Sequence, residues 1–97
     1  MAVETSTGKP YKDKPLDTGR FLRKFDKDID TSELIWHRDR KTRIITVMGG
    51  ENWQLQFDDQ LPIILEKDKQ YRIQKETYHR IIKGNGTLVL EIKELGE

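Results

Sequence analysis

From residue 34 onward the chain alternates between apolar and polar positions. "NWQLQF" sets Trp53, Leu55 and Phe57 against Asn52, Gln54 and Gln56. "LIWHRD" is apolar and then alternating, and "RIITVMGG" is β-branched and closes on two glycines. "IILE", "QYRI", "YHRII" and "TLVLEIKE" follow, with "DDQLP", "KDK", "QKET" and "KGNG" as turns between segments. Successive strand residues point to opposite faces, so a period of two marks half-buried strands. Short strands spaced by about 8–12 residues predict an all-β sandwich or barrel. Tyr71, Ile73, Ile81, Leu88, Leu90 and Ile92 are predicted to point inward, and Trp53, Leu55 and Phe57 to join the core.

The first third of the chain reads differently. Residues 1–18 carry Gly8, Pro10 and Pro15 and few large apolar groups, which predicts an extended or mobile N-terminal arm whose Tyr11 and Leu16 are free to dock on the domain or a second subunit. In "GRFLRKFDKDIDTSE", Phe21, Leu22, Phe25 and Ile29 form a short helical stripe ended by an acidic turn, with an extra strand as the other reading. The barrel domain is placed at residues 19–97.

Ninety-seven residues make one domain with one core. Lys and Arg number 18 against 17 Asp and Glu, and a balance so near zero argues against nucleic-acid or anionic-membrane binding. It also assigns Arg38, Arg40, Lys41 and Arg43 to a solvated strand end and turn, although Trp36 and Trp53 are of a type that stacks on bases. With no cysteine, disulfides and thiolate-bound zinc are excluded. No apolar run reaches the length of a membrane span, and the N-terminus lacks a signal peptide's apolar core, so the cytoplasm is the default expectation. No phosphate loop, dinucleotide fingerprint, nucleophile motif or organic-cofactor signature is present.

The candidate chemistry lies in "WHRDRKTR" and "TYHRII". On a strand, His37 and Asp39 project to one face. His79, the only other histidine, is available as a third ligand from a neighbouring strand. Two imidazoles and a carboxylate suit Fe, Mn, Ni or Zn and leave coordination positions open for a small molecule. The alternative is a hydrogen-bonded His–Asp–Arg cluster without an ion.

These segments resemble the two motifs of the small single-domain cupins. The first, G-x5-H-x-H-x3-E-x6-G, puts Thr31 at its leading Gly, His37 and Asp39 at its two His, Arg43 at its Glu and Gly50 at its closing Gly. The second, G-x5-P-x-G-x2-H-x3-N, puts Asp68, Gln74 and Glu76 at Gly, Pro and Gly, His79 at the His and Lys83 at the Asn. Spacing is kept throughout; His37, Gly50 and His79 keep the residue as well. The resemblance spans about residues 31–93 and implies a small cupin-like jelly-roll barrel, a degenerate metal site and a homodimer.

Arg43 cannot donate a lone pair. It turns aside, pairs with Asp39 at the metal position, or meets a substrate anion beside the metal. Arg43, Gln54, Gln56 and Tyr78 are the candidate ligand-binding residues. Gln54 and Gln56 line the pocket only if the alternation runs that way, and the parity of Tyr78 with Arg80 and Ile82 favours the outer face. Two functions follow as expectations. One is binding of a divalent metal and a small polar or anionic ligand, with oxygenase- or isomerase-type chemistry. The other is a metal-free module for a sugar or other small polar ligand, or a structural dimeric barrel.

Overall fold

A computed structural model describes residues 10–96, and residues 1–9 of the expected arm lie outside them. Among the described residues, eight strands form two antiparallel sheets: β1 Lys12–Asp17, β2 Arg20–Phe25, β3 Arg43–Glu51, β4 Gln54–Phe57, β5 Ile63–Ile64, β6 Gln70–Ile73, β7 His79–Ile82 and β8 Asn85–Glu94. The larger sheet runs β1-β2-β8-β3-β6 and the smaller β5-β4-β7. No helix among the described residues is long and apolar enough to cross a membrane.

Period two explains what each sheet buries. In β8, Leu88, Leu90 and Ile92 are buried and alternate with more exposed residues. Cross-strand register then builds a row of Phe21, Ile92, Ile45 and Tyr71 across four strands. Leu55 and Ile81 of the smaller sheet, with Trp53 just before β4, close the core. Burying one such aliphatic side chain contributes about 1.5–3 kcal/mol. The Trp53 indole is fully buried, and its N–H is shared between the carbonyls of Asn85 and Gly86 at 3.1 and 3.2 Å. Where the expectation was a core Phe57, the ring is half-buried against the same cluster.

Two expectations are corrected. Of the two readings of residues 19–33, helix or extra strand, the helix is not found: β2 pairs with β1 and β8 and is followed by one 3-10 turn at Thr31–Glu33 capped by Asp30. Phe21 and Phe25 stand four apart, a spacing that also puts them on one face of a strand. "LIWHRD" is irregular rather than a strand, with a single bridge from His37 to His79. Ile35 and Trp36 remain 64% and 41% exposed, so no alternating face is buried to favour a ladder there. In the described part of the N-terminal segment, β1 lies at the sheet edge, Tyr11 packs edge-on against Phe25, and Leu16 is exposed.

The motif positions behave as backbone physics requires. Gly50 has a φ of +100°, and a Cβ there would stand 3.0 Å from the Leu88 Cα. Asp68 and Glu76, at the two motif glycines, adopt left-handed φ values of 68° and 62°. The backbone shape persists after the glycines have gone, at a local steric cost.

Candidate metal centre

His79 opens β7, with Phe57 of β4 as its partner on one side. On the other side, His37 takes the free edge of β7. The His37 N–H donates to the His79 carbonyl at 3.0 Å, and the His79 N–H donates back at 2.9 Å. Residues directly opposed in an antiparallel pair carry their side chains on the same face. The two imidazoles therefore lie side by side, ring centres 4.4 Å apart.

Asp39 is held by the turn that precedes β7. The Glu76 N–H donates to the Asp39 carbonyl at 2.7 Å, and the Lys75 N–H donates to the buried Thr42 hydroxyl at 3.1 Å. This brings the Asp39 carboxylate to the imidazoles, with Oδ2 3.4 Å from His79 Nε2 and Oδ1 3.9 Å from His37 Nε2. One ligand atom from each of the three residues lies within 4.8 Å of the others.

The hydrogen bonds of the two rings fix where their protons sit. His37 Nδ1 sits 3.1 Å from the Ile35 carbonyl and His79 Nδ1 sits 2.8 Å from the Thr77 carbonyl. A carbonyl only accepts, so each Nδ1 carries its proton and a neutral ring presents a bare lone pair at Nε2. Backbone carbonyls behind histidine ligands orient them in this way. Asp39 Oδ2 is buried and accepts no hydrogen bond. Lone pairs that meet without a proton between them are of the kind that could hold a cation, and the chemistry of this donor set fits a divalent ion.

Electrostatics agree. Burial, and next the neighbouring His79 and Arg43, hold His37 below its ordinary value of 6.5, while the backbone carbonyl of Ile35 and Asp39 act the other way. Burial pushes the Asp39 carboxyl up, but His79, Arg43 and His37 together hold it below its ordinary 3.8. Both shifts favour a neutral His37 and an ionised Asp39 at neutral pH.

Arg43 does two of the things open to it. It turns toward Glu94, with Nε and Nη2 at 3.1 and 2.8 Å from Oε2. It also puts Nη1 3.3 Å from Asp39 Oδ1. The carboxylate thus divides its oxygens, Oδ1 toward Arg43 and Oδ2 toward His79. Two carboxylates share one guanidinium, which leaves the cluster with one negative charge. Sequence reasoning missed Glu94, although its parity with Leu88, Leu90 and Ile92 points it inward.

The cluster opens into a cavity of about 390 Å³ between the sheets, which Arg43 also lines. Gln54, Gln56 and Tyr78 are not among its lining residues. Gln56 accepts from Arg80 at 2.9 Å on the outer face, and Tyr78 is 46% exposed beside Arg38.

No protein-family model and no curated protein matches the sequence. Solved structures do match the fold. A cupin domain of Bordetella pertussis Tohama I is 16% identical, with 91% of this chain and 96% of that one covered and a TM-score of 0.64. A cupin-2 domain protein of Shewanella frigidimarina NCIMB 400 is 19% identical over 88% and 79% of the chains, with a TM-score of 0.62. Fe(II)-HppE, solved with an alternative substrate, is 14% identical with a TM-score of 0.64; the match takes 88% of this chain and 48% of that one, so this chain spans about half its length. The chain has the cupin fold.

Proposed function

We propose that this cupin-fold chain binds one divalent metal through His37, Asp39 and His79, and a small molecule beside it in the cavity. The observation that carries the reading is the buried, unbonded Asp39 Oδ2 facing a histidine whose proton is committed elsewhere. Fe, Mn, Ni and Zn all suit two imidazoles and a carboxylate. When bound, such an ion supplies Lewis-acid polarisation or, for iron, oxygen chemistry of the oxygenase type. The iron in the name of Fe(II)-HppE supports that direction. The residues orient the site: Thr77 and Ile35 fix the imidazole tautomers, Arg43 restrains one Asp39 oxygen, and apolar side chains wall the cavity beside it. Pairing of two copies, with the outer edge of β1 as one available surface, and a cytoplasmic location complete the proposal.

A metal-free binding module is the second reading, and the 3.3 Å contact between Arg43 and Asp39 favours it. Arg43 is shared with Glu94, however, so it does not neutralise the cluster.

The test is elemental analysis of protein purified without a chelating tag, alongside Asp39→Asn and His79→Gln. Near-stoichiometric metal in the wild type, with affinity reduced by about 100-fold or more in each variant, is expected. No uptake of Fe(II), Mn(II), Ni(II) or Zn(II) by the wild type rejects the metal reading in favour of the second.

A further inference from the structure

The cavity's composition bears on the kind of molecule it takes. Beyond the metal cluster, most of its wall is apolar: Ile45, Ile73, Ile81, Leu90 and Ile92 form an aliphatic side, with the rings of Phe25 and Tyr11 beside them. The five aliphatic residues are all buried in the core, so this side is rigid. A ligand rich in hydroxyls would lose water there and find few partners.

The cations that face the cavity are not free to receive an anion. Arg43 is held by Glu94 and Asp39. Arg23 also lines the space, and it is gripped by Asp13 through Nε and Nη2 at 2.9 and 3.0 Å, with its guanidinium 3.5 Å over the Tyr11 ring. Glu33, at the rim, is solvent-exposed. Both arginines are thus already paired with carboxylates, which favours the first two of the three roles open to Arg43 over that of meeting a substrate anion.

Charge balance then fixes the head group. Asp39, Glu94 and Arg43 together carry one negative charge, and imidazoles that hold a metal through Nε2 add none. A divalent ion reverses this to one positive charge, and in a cavity walled by hydrocarbon an unbalanced charge is costly. We infer that the ligand is a small amphiphilic monoanion, with a single carboxylate or enolate head at the His37–Asp39–His79 centre and a hydrocarbon body against the aliphatic wall. A cavity of about 390 Å³ suits a short body only. This inference rests on the metal reading proposed above.

The test is calorimetric titration of Mn(II)-loaded protein with acetate, butanoate and hexanoate, then with hexanol and a polyhydroxylated six-carbon acid. Mn(II) content is read separately by elemental analysis. Affinity is expected to rise roughly fourfold per added methylene until the cavity fills. Hexanol and the hydroxylated acid should bind more weakly than hexanoate. In Leu34→Ala, a cavity-lining loop residue outside the buried core, hexanoate should lose affinity while acetate and Mn(II) do not. A flat response to chain length, tighter binding of the hydroxylated acid, or hexanol equal to hexanoate overturns the inference and leaves the metal reading standing. Failure to take up Mn(II) or another divalent ion overturns both.

Discussion

His37 and His79 form an isolated hydrogen-bonded bridge, each donating its backbone N–H to the other's carbonyl, and this bridge sets their ring centres 4.4 Å apart. Neither histidine needs a long side-chain reach to meet the other. The backbone makes the pair, and the Asp39 carboxylate, two residues beyond His37, completes it.

Arg43→Met should separate stability from metal affinity. Removing the guanidinium leaves the largely buried Asp39 and Glu94 carboxylates without their shared partner. The metal-free protein should lose about 2 kcal/mol, less than for a fully buried pair, which lowers Tm by about 10 °C. Divalent affinity should rise by about tenfold, because a repelling charge has gone. Thermal melts with and without Mn(II) check both: added metal should recover more Tm in the variant than in the wild type.

Acid should destabilise the metal-free fold through two groups. His37 is held below 6.5, so its neutral form is favoured by folding. That contribution is complete above pH 6.5 and is lost as pH falls below it toward the folded value. Asp39 is held below 3.8, so its contribution is complete above that pH and disappears as pH falls through its lower folded value. Urea unfolding from pH 8 to pH 3 should show two steps of declining stability. In His37→Gln the upper step should shrink while the lower one stays. An unchanged upper step would assign it to another group.

Glu76 holds a left-handed φ of 62° at a position where the motif has glycine. Glu76→Gly should be nearly neutral, since relief of backbone strain is offset by the greater freedom of glycine in the unfolded chain and by loss of the exposed contact with Arg38. Glu76→Val should cost about 1–2 kcal/mol relative to Gly, because a β-branched side chain fits that conformation poorly. Denaturation midpoints of the two variants give the difference directly.

The strands after residue 43 were legible in the sequence because period two marks a half-buried face whatever its partner. Alternation does not reveal whether a neighbour offers an edge. "LIWHRD" therefore looked like a strand, while only His37 finds a bridge. The helical stripe misled because Phe21 and Phe25, four apart, satisfy both periods. The three metal-ligand candidates could be named from motif spacing, but their convergence depends on the irregular segment and on the turn at Glu76. The role of Arg43 was hidden for a different reason. Its main partner, Glu94, lies 51 residues away, and a side chain's direction at that separation is not written in local pattern.

Strand β8 lies between β2 and β3 in the larger sheet, yet it is the last described strand in chain order. During synthesis, the β1–β2 hairpin and the β3–β6 pair have no strand to hydrogen-bond them into one sheet until β8 emerges. Such long-range pairing is slow and leaves earlier edges open meanwhile. Glu94, at the end of β8, arrives after every other residue of the cluster. A nascent chain that already contains both histidines and Asp39 still lacks the acid that draws Arg43 aside, so the centre takes its finished form only once the sheet is closed.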